Sequence, residues 1–451
     1  MKDIIKYIVL ATVICFSFSC KKYLDLKPDK TQVVPSTLED CQALLNNVRV
    51  IGQGYPSVGE ISSDDYYLLD NDWATLAQNE REPYLWLNRA SVGLSEWSGP
   101  YNRILVANQV LEVIDKIKPT AQQQQQWSSI KGAALLLRSF SFYTLTEVFC
   151  VPYTIGTASQ ELGIPIRNTP NIGERVDRGT LQQTYDRILT DLTLSAELLP
   201  AIRPESKPSK SVAMPVKAAA YAALARVFLI MRDFEKAFSY ADLSLKQHNA
   251  LMDYKTLDLN QYYPIPRFNA EVLYEMNATG YVPISYGRIN PELYQLYKNG
   301  DLRKTVFFRD KGGAHQFRGT YNQGSIFVGF ATDEMYLIRA ECSARAGNMT
   351  SAMADLNKLR ENRWDDTYVP VVVANAEDAL KLVLLERRRE LPFRGLRWSD
   401  LRRLNNDPRF AVKLHRSLEG KEYILSPNDL RYTLLIPREI LERVDIPQNS
   451  R

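Results

Sequence analysis

The chain has 451 residues, the length of about two to three ordinary domains. Apolar residues make up 45% and charged residues 24%, the balance of a globular protein with a sizeable core. A net charge of +4 over this length excludes a composition-based case for nucleic-acid binding. No run of about 18 apolar residues follows residue 20, so no later segment reads as a membrane-spanning helix.

The N-terminus stands apart. Lys2 and Lys6 precede an apolar run from Tyr7 to Phe18, and Ser19-Cys20-Lys21-Lys22 ends it. A basic start, a short apolar centre and a small residue at the cut form the layout of a secretory signal, and the run is too short to span a bilayer comfortably. A small residue followed at once by cysteine resembles the lipobox of bacterial lipoproteins, with Ser17 in the place where leucine is usual. That resemblance implies a signal peptide over residues 1–19 and lipid attachment at Cys20. Cleavage there removes Cys15 and lipid consumes Cys20, leaving Cys41, Cys150 and Cys342. Three is odd, which precludes a complete disulfide framework. Cys150 and Cys342 lie in apolar helical patterns and read as small buried hydrophobes.

Residues 20–35 are polar with two prolines and read as a tether to a domain spanning 36–451. Over 36–50, Ser36 or Thr37 can cap a helix on which Leu38, Cys41, Leu44 and Leu45 recur at helical spacing. Residues 51–96 are rich in rings and read as loops. Tyr101, Ile104, Leu105, Asn108, Leu111 and Ile114 then mark one helix face, which ends near Pro119. The glutamine run 122–126 starts the next helix, carrying Ala133, Leu136, Leu137, Phe140 and Phe149. Leu181, Tyr185, Ile188, Leu192 and Leu199 predict a third.

Residues 217–248 carry an internal signature. Tyr221-x2-Leu224-Ala225-x2-Phe228 is followed by Ala237, Ala241 and Ser244, the spacing of a tetratricopeptide helix pair. A second copy lies 115 residues on, with Tyr336, Ala340, Ala352 and Leu356 at equivalent steps and Gly347-Asn348 replacing Arg232-Asp233. Between the copies, over 258–331, prolines, glycines and aromatics crowd in and helical periodicity fades. That segment reads as a loop-rich, partly β insertion with a strand at 325–330. The predicted class is therefore mainly α: a tetratricopeptide-like helix-pair scaffold, about 97–257 and 332–405, bearing ring-rich loops at about 51–96 and 258–331.

With these features in place, the chain resembles the SusD/RagB family of outer-membrane nutrient-binding lipoproteins. CKKYLDLKPD (20–29) resembles the family's mature start, and WSGPYNRILVANQVLEVI (97–114) its first scaffold helix. GAALLLRSFSFYTLTEVFCVPY (132–153) resembles the next helix; the segments at 332–363 and 384–404 are the most specific stretches. The chain departs from the family in closing Gln448-Asn449-Ser450-Arg451 and in placing Lys21 and Lys22, not acidic residues, after the cysteine. The resemblance implies a lipid-anchored protein at the outer membrane, facing the cell exterior. It implies partnership with a SusC-like TonB-dependent transporter, to which a captured glycan or peptide is delivered. The rival readings are a peptide-binding member of the family and a helical-repeat adaptor that grips only protein partners.

Enzyme signatures are scarce. His248, His315 and His415 are far apart in sequence, and no HExxH, CxxC or GxSxG occurs. The expectation is a binding protein without catalytic residues, metal or cofactor. Asp64-Asp65 forms a carboxylate pair, but neighbours in an extended segment point apart, whereas glycoside hydrolysis needs carboxyls facing across a bond about 5–9.5 Å apart. The arginines from Arg387 to Arg403 are interleaved with Glu386, Glu390 and Asp400 and read as structural ion pairs such as Arg387–Glu390, not as a nucleic-acid surface. Tyr101, Tyr143, Tyr185, Tyr221 and Tyr336 sit at helical spacing and read as core. The loop residues Asp65, Tyr66, Tyr67, Trp73, Trp86, Tyr281, Tyr286 and Tyr321 are the ligand-binding candidates, because a flat ring offers a face to sugar C–H groups and binding residues concentrate on loops.

Overall fold

The apolar periodicity of the sequence becomes a sequential stack of helices. The structure is a computed structural model that describes residues 35–202, 214–278 and 282–451, with 37–451 forming one unit. The expected signal peptide, Cys20, the tether up to residue 34, and Tyr281 lie outside the described residues. The principal helices are α1 (Leu38–Leu45), α2 (Leu94–Ile114), α3 (Gln124–Phe149), α4 (Leu181–Leu198), α5 (Lys217–Ile230) and α6 (Phe234–Gln247). They continue with α7 (Thr332–Arg345), α8 (Met349–Glu361), α9 (Ala376–Glu390) and α10 (Arg397–Leu404). Each of α2 to α8 packs on the next in chain order, and α9 packs on both α7 and α8.

Local chemistry sets the ends. Thr37 and Thr180 form capping boxes with Asp40 and Gln183 at the starts of α1 and α4. The two helix pairs α5–α6 and α7–α8 superimpose in sequence: α7 begins and ends 115 residues after α5. The turns match as well. Arg232 and Gly347 both take positive φ, 64° and 80°, and Asp233 and Asn348 each cap the following helix. Ala237, Ala241, Ala352 and Leu356 are fully buried between paired helices, where small side chains permit close approach. Of the five helical tyrosines, Tyr143, Tyr185 and Tyr336 are buried, while Tyr101 and Tyr221 are half-buried against the core. Cys41, Cys150 and Cys342 are free and buried.

The strands form short antiparallel pairs. They are β1 (Tyr66–Tyr67), β2 (Leu162–Pro165), β3 (Arg178–Thr180), β4 (Val272–Tyr274), β5 (Asn277–Ala278) and β6 (Arg288–Ile289). They continue with β7 (Phe308–Lys311), β8 (Ala314–Phe317), β9 (Ile326–Phe327), β10 (Phe330–Ala331), β11 (Leu414–Leu418) and β12 (Lys421–Leu425). The single strand expected at 325–330 is two: β9 pairs with β5 and β10 with β4. The break falls at Val328-Gly329, whose carbonyls accept hydrogen bonds from the Arg226 guanidinium on α5, at 3.1 and 2.6 Å.

Buried charge joins the ring-rich insertion to the scaffold. Glu390, at the end of α9, receives Arg303 and Arg363, each at 2.7 Å, and Arg363 also reaches Glu271 at 2.8 Å. The side chains of Arg303, Arg363, Glu271 and Glu390 are fully buried. Such a network costs desolvation to assemble, yet removing one member strands the rest.

Candidate glycan-binding site

The candidate residues divide by burial. Tyr66 is 2% exposed and its hydroxyl donates to the Ile61 carbonyl at 2.9 Å. Trp86 is 3% exposed, its indole N–H donates to the Ser62 carbonyl at 2.9 Å, and the Arg416 guanidinium covers its ring. Tyr321 is 2% exposed; its hydroxyl donates to Glu271 with an Asp333 carboxylate oxygen 3.2 Å away, and Arg394 lies over its ring. These three rings are core residues, which corrects their reading as accessible loop aromatics. Their polar ends find buried partners from distant segments, so the whole side chain can leave water.

Asp65 is also buried, and the expectation that Asp64 and Asp65 point apart does not hold. Both converge on Arg388 and Arg397: Arg397 grips Asp64 through two bonds of 2.6 and 2.8 Å, and Arg388 approaches Asp65 at 3.4 Å. Burial raises the Asp64 carboxyl, but the Arg397 and Arg388 charges outweigh it and hold the group below the usual carboxylate range. The pair is a structural clamp. The arginines from Arg387 to Arg403 form ion pairs as expected, with one exchange of partner. Arg387 meets Asp400 of α10 at 2.8 Å, because Glu390 is taken by Arg303 and Arg363.

Tyr67, Trp73 and Tyr286 are half-buried, with Trp73 and Tyr286 packed against the core. They come from both ring-rich segments, and the β1–β6 pair brings those segments together. Tyr67 stands opposite Arg288, and Arg288 reaches across to Asp72 at 2.5 Å. Trp73 follows Asp72; its indole N–H donates to the Arg81 carbonyl at 3.3 Å, and the Arg81 guanidinium lies 5.3 Å from its ring. Tyr286 precedes Gly287, which the turn requires: a Cβ there would meet the Pro283 carbonyl at 2.2 Å and the Tyr66 ring at 2.9 Å. Core Tyr66 thus supports the turn that presents Tyr286. The β1–β6 pair thus gathers the segments that carry these three rings around the Arg288–Asp72 ion pair, a candidate ledge for a sugar face and its hydroxyls.

The ledge continues onto the β7–β8 hairpin, since β8 lies beside β6. The Lys311 ammonium donates to the carbonyls of Ser285 and Tyr286 at 2.8 and 3.3 Å. Gln316 donates to the carbonyls of Ile284 and Ser285, at 2.8 and 2.9 Å, and accepts from Arg309 at 3.0 Å. The Arg309 guanidinium stacks 3.8 Å from the ring of Tyr262, which is 57% exposed. Sequence reasoning passed over Tyr262, Arg309 and Lys311. The available signal was alternation in β7, which sets Arg309 and Lys311 on one face and Phe308 on the other.

Two family profiles match the chain. One, described as starch-binding and associating with the outer membrane, covers residues 22–229; the other, the SusD family, covers 257–429. A SusD-like protein P2 from Formosa agariphila is 23% identical over 376 residues, which span 68% of this chain and 71% of that one. A SusD superfamily protein from Bacteroides thetaiotaomicron superimposes with a TM-score of 0.75 at 21% identity, covering 92% of this chain and 100% of the other. Surface glycan-binding protein A from Bacteroides uniformis superimposes with a TM-score of 0.70 at 17% identity, covering 91% and 98%. Matched over both halves of its length and sharing the mainly α fold, this chain belongs to the SusD/RagB family.

Proposed function

We propose that this protein captures a glycan on the ledge of Tyr67, Trp73 and Tyr286 and delivers it to a SusC-like TonB-dependent transporter, acting as a binding protein and not as an enzyme. The observation that carries the reading is the β1–β6 pair, which joins two ring-rich segments about 220 residues apart. The glycan-binding relative with the same fold supports the choice of ligand class. Lipid on Cys20 would hold the protein at the outer membrane, facing outward. No helix among the described residues is long and apolar enough to cross a membrane. Tethering beside a transporter raises the effective concentration of released ligand, so modest affinity suffices.

Calorimetry of the purified protein against a panel of oligosaccharides tests the reading. A bound glycan whose affinity falls about tenfold in Trp73→Ala, with transporter co-purification retained, is the expected result. A folded protein that binds no glycan, or binds one indifferently to Trp73 and Tyr286, would overturn it. Cys20→Ala is expected to release the protein from the membrane fraction.

A further inference from the structure

Carboxylates accompany most of the buried cations of this protein. Arg226, Arg303, Arg363, Arg394, Arg397 and Arg403 each meet one within 2.9 Å. The half-buried cations of the hairpin depart from that pattern, as the buried Arg103, Arg178 and Arg416 also do. Arg309 bonds to the Gln316 amide oxygen and stacks on Tyr262. Lys311 touches the carbonyls of Ser285 and Tyr286, and Arg318 touches those of Thr305, Leu259 and Gln261. None of the three has an ion-pair partner among the described residues. The nearest acids are committed elsewhere: Asp72 to Arg288, and Asp310 to the N–H groups of Gly312 and Gly313 on the opposite face of the hairpin.

The three are held in place and crowded. Arg309 and Lys311 are two residues apart on one strand, so their side chains leave the same face about 7 Å apart. Burial lowers the Lys311 pKa and the Arg288 charge lowers it further; Asp72 offsets part of this, and Arg309 adds to the lowering. Uncompensated like charges fixed at short range are unfavourable in the free protein, and an anion laid across them relieves that repulsion. Half-buried Tyr286, whose carbonyl accepts from Lys311, stands at one end of the strip, and exposed Tyr262 stands over Arg309 at the other.

Resting on the capture reading above, we infer that the ligand is an anionic glycan, one whose sugar faces stack on Trp73, Tyr286 and Tyr262 while its carboxylate or sulfate groups lie on Lys311 and Arg309. The rings alone would suit a neutral sugar, whereas the strip between them suits repeated negative charge. The oxyanion–guanidinium contact is charge-assisted, and salt screens it.

Affinity electrophoresis and calorimetry with three probes test the inference: polygalacturonate for carboxylates, a sulfated galactan for sulfates, and a neutral β-glucan. At least one anionic probe is expected to bind more tightly than the neutral one and to weaken as salt rises. Arg309→Gln and Lys311→Met are each expected to lose about tenfold in affinity for that probe, and Lys311→Arg to retain it. Melting temperatures like that of the parent protein identify the loss as one of charge. A neutral glucan bound through Trp73 and indifferent to Arg309→Gln and Lys311→Met would overturn the anionic assignment and leave glycan capture standing. Failure of all three probes, or binding of an acidic peptide or nucleic acid in their place, would overturn both.

Discussion

Glu60 lies in the short helix Val58–Ser62 and is 2% exposed, lining a cavity of about 50 Å3 with Tyr55, Tyr143, Arg226 and Trp398. Neither carboxyl oxygen accepts a well-formed hydrogen bond among the described residues. Burial pushes its pKa up to about 8, Asp65 adds to the rise, and the backbone N–H and guanidinium of Arg397 offset only part of it. The group is therefore neutral in the folded chain at neutral pH, while the unfolded chain ionises it above about pH 4.5. Folding takes up a proton across that window. The contribution to stability is fully present below pH 4.5 and is lost as pH rises through 8. At about 1.4 kcal/mol per pKa unit, the loss is on the order of 5 kcal/mol. Glu60→Gln keeps the shape and removes the titration. Urea denaturation of both proteins between about pH 5 and about pH 8.5 should show the parent losing stability relative to the variant by several kcal/mol as pH rises. Parallel midpoints for the two proteins over that range would refute the reasoning.

Arg363→Met leaves Glu271 and Glu390 without their shared cation and should cost about 3–5 kcal/mol, read as a lowered urea midpoint. Tyr321→Phe removes the buried donor of Glu271 and should cost about 1–3 kcal/mol while leaving glycan affinity unchanged; a selective loss of binding would restore Tyr321 to the ligand site. The two equivalent turns should respond with opposite signs. Gly347→Ala should cost about 1–2 kcal/mol through backbone strain alone, since a Cβ there meets nothing, and Arg232→Gly should stabilise by up to about 1 kcal/mol, both seen in thermal melts.

Helices, caps and repeat were legible because each depends on residues within a few positions of one another. Thr37 announces its helix, and Ala237, Ala241, Ala352 and Leu356 announce the close pairs, through spacings that hold wherever the helix sits. Spacing also separated the free buried cysteines Cys150 and Cys342 from any disulfide scheme. What the sequence could not rank was its loop aromatics. Tyr66, Trp86 and Tyr321 look no different from Tyr67, Trp73 and Tyr286 along the chain, and burial alone divides them. Burial was decided by partners hundreds of positions away, such as Arg416 over Trp86, and the same holds for Arg388 and Arg397 closing on Asp64. The ledge itself rests on a two-residue strand pair, too short to show a periodicity, whose register only the packed tertiary structure selects.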